Sequence, residues 1–436
     1  MRIISYKDND FKEQLKPLFE RKAYPEEIEA NVKKILKDVR AEGDKALCRY
    51  ALEFDKVQLT AGQIQVTENE IENADRLVSE KNKTAINAAI DHISKFARKQ
   101  IPKPWSFTPR SGVIVGERFV PIDRIGVYIP GGTAPLVSTV IHTAAIAKTA
   151  GVKEIVAVTP PGENGTILPE LLYAMHQAGV TEIYRLGGVY AIGALAYGTE
   201  TIKKVEKIVG PGNAYVTAAK KLVYGEVAID MVAGPSEIMI IADENADPAN
   251  IAADLLSQAE HGSGLEQAVL LSTSMKIITE VEKCLISQKK DLERIETVEK
   301  VIENGMFLIE VENVDSAADI ATEYAPEHLE IICRQPGSIA KKVKAAGAIF
   351  LGEWTPESVG DFVAGPSHVL PTGGSAKYFS GLTVEHFFRR MSIVNYQKKA
   401  LVREDKFIEA FGEMEGLQAH RKSSEFRIAD KKDSEK

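Results

Sequence analysis

Ile125-Gly126-Val127-Tyr128-Ile129-Pro130-Gly131-Gly132-Thr133-Ala134-Pro135 is an apolar run that stops abruptly in proline and glycine. A short, β-branched apolar run closed by turn formers reads as a buried strand. The same pattern then repeats. A helical stretch over 137–150 precedes a strand over 154–159, a turn rich in proline and glycine follows, and helical 168–178 precedes a strand over 182–186 that ends in Gly187-Gly188. Strands separated by crossover helices build a parallel sheet, so this part of the chain predicts a doubly wound α/β unit. Ligands of such a unit bind outside the carboxyl ends of its strands.

Working outward, Val113-Ile114-Val115 is strand-like, and everything before Gly112 reads mainly as helix. Residues 8–24 form a short polar helix, and Pro25-Glu26-Glu27 restarts the chain with proline at a helix start and acids in the first turn. Thr67 with Glu70 is a capping box, and Ile86, Ile90, Ile93 and Ala97 form the buried stripe of a long helix near 80–100 whose His92 reads as a surface residue. Downstream, Glu237-Ile238-Met239-Ile240-Ile241-Ala242 opens a second α/β unit. A helix over 248–260 is capped by Gly262, strands follow at 267–272 and 306–311, and a helix over 315–324 leads to a further strand from about 328 and another at 348–351. The last fifty or so residues predict a small helical appendage with a charged, disordered end from 428.

A chain of 436 residues suggests several domains, and 44% hydrophobic with 27% charged residues describes a soluble globular protein. The net charge of -8, without a basic face, predicts no nucleic-acid partner. Nowhere do about 18 apolar residues run together, and the N-terminus carries an early acid, so the expectation is a cytoplasmic protein without a membrane segment. Cys48, Cys284 and Cys333 are scattered, which argues against disulfides and a thiolate metal site. Any metal must then use His, Asp, Glu or amide oxygen.

Three glycine loops, Gly131-Gly132, Gly187-Gly188 and Gly210-Pro211-Gly212-Asn213, each precede a helical pattern and could cradle a phosphate. Plain turn glycines would look the same, and no G-x-G-x-x-G fingerprint decides between them. Gln258 and His261, three apart, share a helix face; a lone histidine before a capping glycine more often serves the helix dipole than a ligand. In Ala325-Pro326-Glu327-His328-Leu329-Glu330-Ile331, Pro326 should end the helix and start an extended segment. Alternation along a strand predicts that Glu327 and His328 point apart. The pair is either surface decoration, the commoner case for the motif alone, or two separate acids or bases, with an imidazole of pKa about 6.5 as the natural proton carrier.

Taken together, Gln258-Ala259-Glu260-His261-Gly262, Tyr324-Ala325-Pro326-Glu327-His328-Leu329-Glu330, Gly360-Asp361, Ala364-Gly365-Pro366-Ser367-His368-Val369-Leu370-Pro371-Thr372 and Glu415-Gly416-Leu417-Gln418-Ala419-His420 resemble the L-histidinol dehydrogenase family. Val209-Gly210-Pro211-Gly212-Asn213-Ala214-Tyr215-Val216 and Ile229-Asp230-Met231-Val232-Ala233-Gly234-Pro235-Ser236-Glu237 extend the likeness over roughly residues 25–427. The resemblance implies oxidation of L-histidinol through an aldehyde to L-histidine, with two hydrides passed to NAD and a zinc ion (Zn2+) holding the substrate. By position Gln258, His261, Asp361 and His420 match the zinc ligands. Ser236, His328, His368 and Glu415, with the zinc ligands, match the substrate site; His328 matches the base for the alcohol proton and Glu327 the group that activates water. Tyr128, Tyr190 and Asn213 match cofactor positions.

Three departures stand out: Tyr190 where the family usually has Gln, a loop after His261 one residue longer, and Ser367 in place of a usual Asn. The family's fold is α/β, two doubly wound domains of incomplete dinucleotide-fold topology plus small N- and C-terminal helical segments. It implies a main domain of 26–127 with 237–381, an inserted domain of 128–236, an N-terminal segment of 1–25 and a C-terminal segment of 382–436. It also implies a homodimer with shared active sites. Two other functions fit the residues: a zinc and NAD dehydrogenase for another small polar alcohol, motivated by Tyr190 and the altered loop, and a zinc hydrolase with Glu327 as base.

Overall fold

The computed structural model describes residues 1–21, 23–131, 136–162, 164–261 and 263–429. Gly132 to Pro135 and Gly262, named above in a glycine loop and a helix cap, lie outside the described residues, as do residue 163 of the 160–165 turn and the charged tail from 430. The chain forms two compact units, Met1–Gln100 with Ile122–Phe387, and Ile101–Pro121 with the chain from Phe388 onward.

The first unit holds two parallel sheets. In one the strands run Glu182–Arg185, Glu154–Thr159, Arg124–Tyr128, Lys207–Val209, Ala228–Ile229. The other runs Arg2–Ser5, Met306–Glu310, Gln267–Ser272, Glu237–Ala242, His328–Ile332, Ala348–Leu351. Numbered from Arg124–Tyr128 and from Glu237–Ala242, each sheet has the order 3-2-1-4-5, with Arg2–Ser5 added at one edge of the second. That is doubly wound topology, as the sequence predicts. Its switch points lie between Arg124–Tyr128 and Lys207–Val209, and between Glu237–Ala242 and His328–Ile332.

Every residue of Glu237–Ala242 is buried, which is why the strand is one continuous apolar run. Ile238, Ile240 and Ala242 pack on one face with Leu255, Ile278, Leu285 and Val301; Met239 and Ile241 pack on the other with Leu15, Leu18, Ala317 and Ala321. Each such side chain contributes about 1.5–3 kcal/mol by burial. Arg124–Tyr128 lies at the centre of the five-stranded sheet, so that layer begins before residue 128. Helix Glu29–Glu42 lays Val32, Ile35, Leu36 and Val39 into the same apolar cluster as Tyr128, Val156, Val158 and Tyr184. The sequence reading had grouped residues 26–127 with the other layer.

The N-terminal stretch contains a strand the sequence reading lacks, because only Ile4 of Arg2–Ser5 is buried and no apolar run marks it. The capping box of Thr67 and Glu70 forms, and in helix Glu80–Lys99 the buried stripe is Ile86, Ala89, Ile93 and Ala97, with Ile90 partly buried and His92 exposed.

The second unit is an antiparallel sheet of Phe388–Tyr396, Val113–Pro121 and Trp105–Arg110 with helices Lys398–Met414 and Gln418–Ile428. The C-terminal segment is therefore not purely helical: Phe388–Tyr396 pairs with Val113–Pro121, although none of its residues is buried. Arg110 ties sheet to helix through Glu404 and Tyr396. Among the described residues, no helix is long and apolar enough to cross a membrane.

Candidate active site

Helix Val314–Tyr324 ends on Ala325 in the left-handed region, φ +52°, a conformation that costs a non-glycine residue about 1–3 kcal/mol. Pro326 prevents the helix from continuing, and the strand starts at His328. Gly347 must be glycine for this turn to close, since a Cβ there would stand 2.5 Å from the Glu327 carbonyl oxygen. Glu327 precedes the strand, so alternation does not govern it, and the two side chains converge where the sequence reading had them diverge. The backbone of Glu237 orients both: its N–H donates to Glu327 Oε2 at 3.0 Å and its carbonyl meets His328 Nδ1 at 3.2 Å.

That bond fixes the proton of a neutral His328 on Nδ1 and leaves Nε2 as the base. Among the described residues Nε2 has no hydrogen-bond partner, and it stands 3.7 Å from Asp361 Oδ1. Burial lowers the His328 pKa to about 4, with Asp361 opposing the shift, so the imidazole is neutral at ordinary pH. Burial also raises Glu327 well above the carboxylate range; the Glu237 N–H and the Ser236 hydroxyl oppose this, while the charges of Glu237 and Asp361 add to it. Glu237 is itself held by Arg21 at 2.6 Å, a buried ion pair, and Arg21 also donates to the Tyr324 carbonyl and lies over the Tyr324 ring.

Next to this pair, helix Glu357–Phe362 presents Glu357 and Asp361 on one face, and helix Pro248–Ala259 delivers Gln258, with His261 just beyond its end. One donor atom each of His261, Glu357 and Asp361 lie within 4.8 Å of one another. Gln258 is fully buried, and among the described residues its Oε1 has no partner; Glu357 Oε1 likewise lacks a hydrogen-bond donor among them, though it sits 3.2 Å from His328 Nδ1. Burial raises the pKa of Glu357, and the charges of Asp361, Glu330, Glu327 and Asp254 push it further. Nitrogen and oxygen donors, orphaned buried acceptors and an excess of carboxylate suit a divalent cation such as zinc. A cavity of about 420 Å³ opens on His328, Asp361, Ser367 and His368, large enough for a small polar substrate.

A second cavity, of about 1590 Å³, lies at the carboxyl ends of the five-stranded sheet and is lined by Tyr128, Gly188, Tyr190 and Asn213. The Gly188 N–H donates to the Tyr128 hydroxyl at 3.1 Å and the Gly187 N–H to the Tyr190 hydroxyl at 3.2 Å; Tyr190, fully buried, also bonds to Asp55. Burial pushes the Tyr128 phenol up to about 12. Asn213 accepts the Tyr215 and Val216 N–H groups at 3.1 Å each. The Gly188 N–H at the start of helix Gly188–Tyr197 and the Tyr215 and Val216 N–H groups at the start of helix Ala214–Val223 are thus occupied by side chains of this chain. A Cβ on Gly131 or Gly187 would strike Pro160, and one on Gly210 would lie 2.2 Å from the Tyr128 carbonyl oxygen, so these glycines serve close packing.

The sequence profile described as Histidinol dehydrogenase matches residues 19–428. The chain belongs to the histidinol dehydrogenase family. It is 44% identical to histidinol dehydrogenase 2 of Trichormus variabilis over 431 residues, covering 98% of this chain and 99% of that one. It is 46% identical to the histidinol dehydrogenase of Thermosynechococcus vestitus, over 92% and 93% of the two chains. The crystal structure of histidinol dehydrogenase from Elizabethkingia anophelis superposes with a TM-score of 0.92 at 38% identity, covering 98% of each chain.

In this histidinol dehydrogenase fold Ser236, Gln258, His261, Glu327, His328, Asp361 and His368 gather at the amino ends of the six-stranded sheet and the loops beside it. Glu415 and His420 belong to the second unit, where both are exposed. Sequence reading missed three residues: Arg21 beneath Glu237, Glu357 in the donor cluster, and His142, fully buried against His368. Only Glu357 left a signal, its spacing of four from Asp361 on one helix face.

Proposed function

We propose that this chain oxidises L-histidinol to L-histidine through the aldehyde, in histidine biosynthesis. The observation that carries the reading is the pairing of a neutral His328, its Nε2 free, with a buried Glu327 of raised pKa on one Glu237 peptide, in a chain of this family. His328 Nε2 takes the proton of the substrate alcohol in the first oxidation. Glu327, as the carboxylate, takes a proton from the water that adds to the aldehyde while His328 returns its proton to the aldehyde oxygen, and His328 then accepts a hydroxyl proton of the resulting hydrate in the second oxidation. Zinc when bound fixes the substrate, and NAD supplies the hydride acceptor. Gln258, His261 and Asp361 would hold the metal, with His420 as the fourth ligand from a partner copy; Ser236, His368 and Glu415 would complete the substrate site. Tyr128 and Asn213 would face NAD, with Tyr190 behind them.

A cytoplasmic homodimer with shared sites belongs to the same reading. What supports it is the second unit, which carries His420 and leaves Trp105, Phe107, Val394, Phe411 and Phe426 exposed. Such apolar area on a small unit marks a surface made to be covered. Incubating the purified protein with histidinol and NAD and recording absorbance of the reduced cofactor tests the function. Two reduced cofactors per histidinol are expected, with loss of turnover after chelation. No reduced cofactor from histidinol, while another small alcohol yields it, would transfer the reading to that alcohol.

A further inference from the structure

Residues 137–150 form one continuous helical stretch, but within it Ile141–Ala145 make a π-turn, a local irregularity that tends to occur where a helix serves a site. His142 stands in that turn and is fully buried. Its Nδ1 accepts the backbone N–H of His368 at 3.1 Å, and its ring packs on the His368 ring with centroids 4.4 Å apart. The Ser367 hydroxyl donates to the His142 carbonyl at 3.0 Å and accepts the Val369 N–H at 3.1 Å. Backbone groups of Phe362, Pro366 and Asp361 also face the imidazole. One buried residue therefore braces the His368 end of the loop that runs from Asp361 to His368.

The bracing is specific in its chemistry. Accepting an N–H requires Nδ1 to be unprotonated, so the ring proton sits on Nε2, which has no hydrogen-bond partner among the described residues. Burial and the neighbouring His368 hold the His142 pKa well below its ordinary value, in keeping with a neutral ring. An apolar side chain of similar size could fill the space, but it would leave the His368 N–H buried without an acceptor and free the loop to shift.

We propose that His142 is a positioning residue for substrate: through the His368 N–H and the stacked ring it sets His368 in the small cavity. This rests on the reading that His368 contacts histidinol. Since the bond runs through Nδ1, a substituent that keeps an acceptor there should suffice. Asparagine places its amide near Nδ1, whereas glutamine reaches only to the Nε2 position.

The test is steady-state kinetics of the zinc-loaded enzyme with His142→Leu, His142→Asn, His142→Gln and, as reference, His368→Ala. We expect His142→Leu and His142→Gln to raise KM for histidinol about tenfold, the loss of one buried hydrogen bond, with KM for NAD and metal content unchanged. His142→Asn should stay within about twofold of the parent. Should His142→Leu fail to fold, the Asn and Gln pair makes the same comparison. Equal losses in the Asn and Gln variants, or unchanged histidinol KM in both while His368→Ala raises it, would overturn the role of His142. An unchanged histidinol KM in His368→Ala would instead overturn the reading of His368, and the positioning role with it.

Discussion

Two sheets of the first unit share the strand order 3-2-1-4-5, yet the five-stranded one opens its cavity at the carboxyl ends of its strands and the six-stranded one gathers its reactive groups at the amino ends. Helix polarity explains the difference. At the carboxyl ends of the first sheet helices Gly188–Tyr197 and Ala214–Val223 begin, so their positive dipole ends face the cavity although the Gly188, Tyr215 and Val216 N–H groups are already bound within the chain. At the amino ends of the second sheet helices Pro248–Ala259 and Val314–Tyr324 finish, and their carbonyls favour a cation. His261 Nδ1 lies 3.2 Å from the Gln258 carbonyl at such an end. A common topology thus places a large cavity at helix starts on one layer and a cluster of nitrogen and oxygen donors at helix ends on the other, according to which helix ends face it.

The strongest way to break that contrast is at the amino ends. Glu327→Gln should slow oxidation of added aldehyde by about 10²- to 10⁴-fold while sparing oxidation of histidinol to the aldehyde; His328→Asn should harm both steps by a similar factor. Single-turnover measurements of each half-reaction decide it. Equal losses in both halves for Glu327→Gln would mean that the pair does not divide the work.

At the carboxyl ends the expected effect is smaller. Tyr190→Phe removes the acceptor of the Gly187 N–H and the donor to Asp55, whose pKa burial already raises against the help of that bond. The tie between the 51–55 turn and the Gly187 loop is then lost. KM for NAD should rise about 3- to 10-fold with KM for histidinol unchanged. A matching rise for histidinol would show that the two ends do not act separately.

Much of the first unit was legible because parallel strands covered on both faces are continuous apolar runs, as in Glu237–Ala242. Arg2–Ser5, Trp105–Arg110 and Phe388–Tyr396 were not: the first buries one residue and the other two none, so they leave no pattern of period two. At the site, Pro326 marked the turn before His328, and the family motifs carried the rest. Arg21 and His142 were invisible because their roles arise from approach in space, 216 residues from Glu237 and 226 from His368. The Tyr190 hydroxyl, in the wall of the large cavity, is bound to Asp55 and Gly187, a tie across sequence that no local pattern marks.

The smallest effect concerns the charge gathered behind Glu327 and His328. Asp254 shares a side-chain hydrogen bond with the buried Glu330, whose carboxylate accepts the Glu357 N–H at 2.6 Å, and burial raises the Asp254 pKa from its usual value to about 6. A carboxyl whose folded pKa exceeds its unfolded one binds more protons when folded, so its contribution to stability is present at low pH and is lost as pH rises from about 4 to about 6. Asp254→Asn keeps a hydrogen-bonding group without the titration. Urea midpoints of the metal-free protein, taken at intervals from pH 4 to 7, should therefore fall less with rising pH in the variant than in the parent, and the two curves should separate most above pH 6. Parallel curves would show that the proton is not held at Asp254.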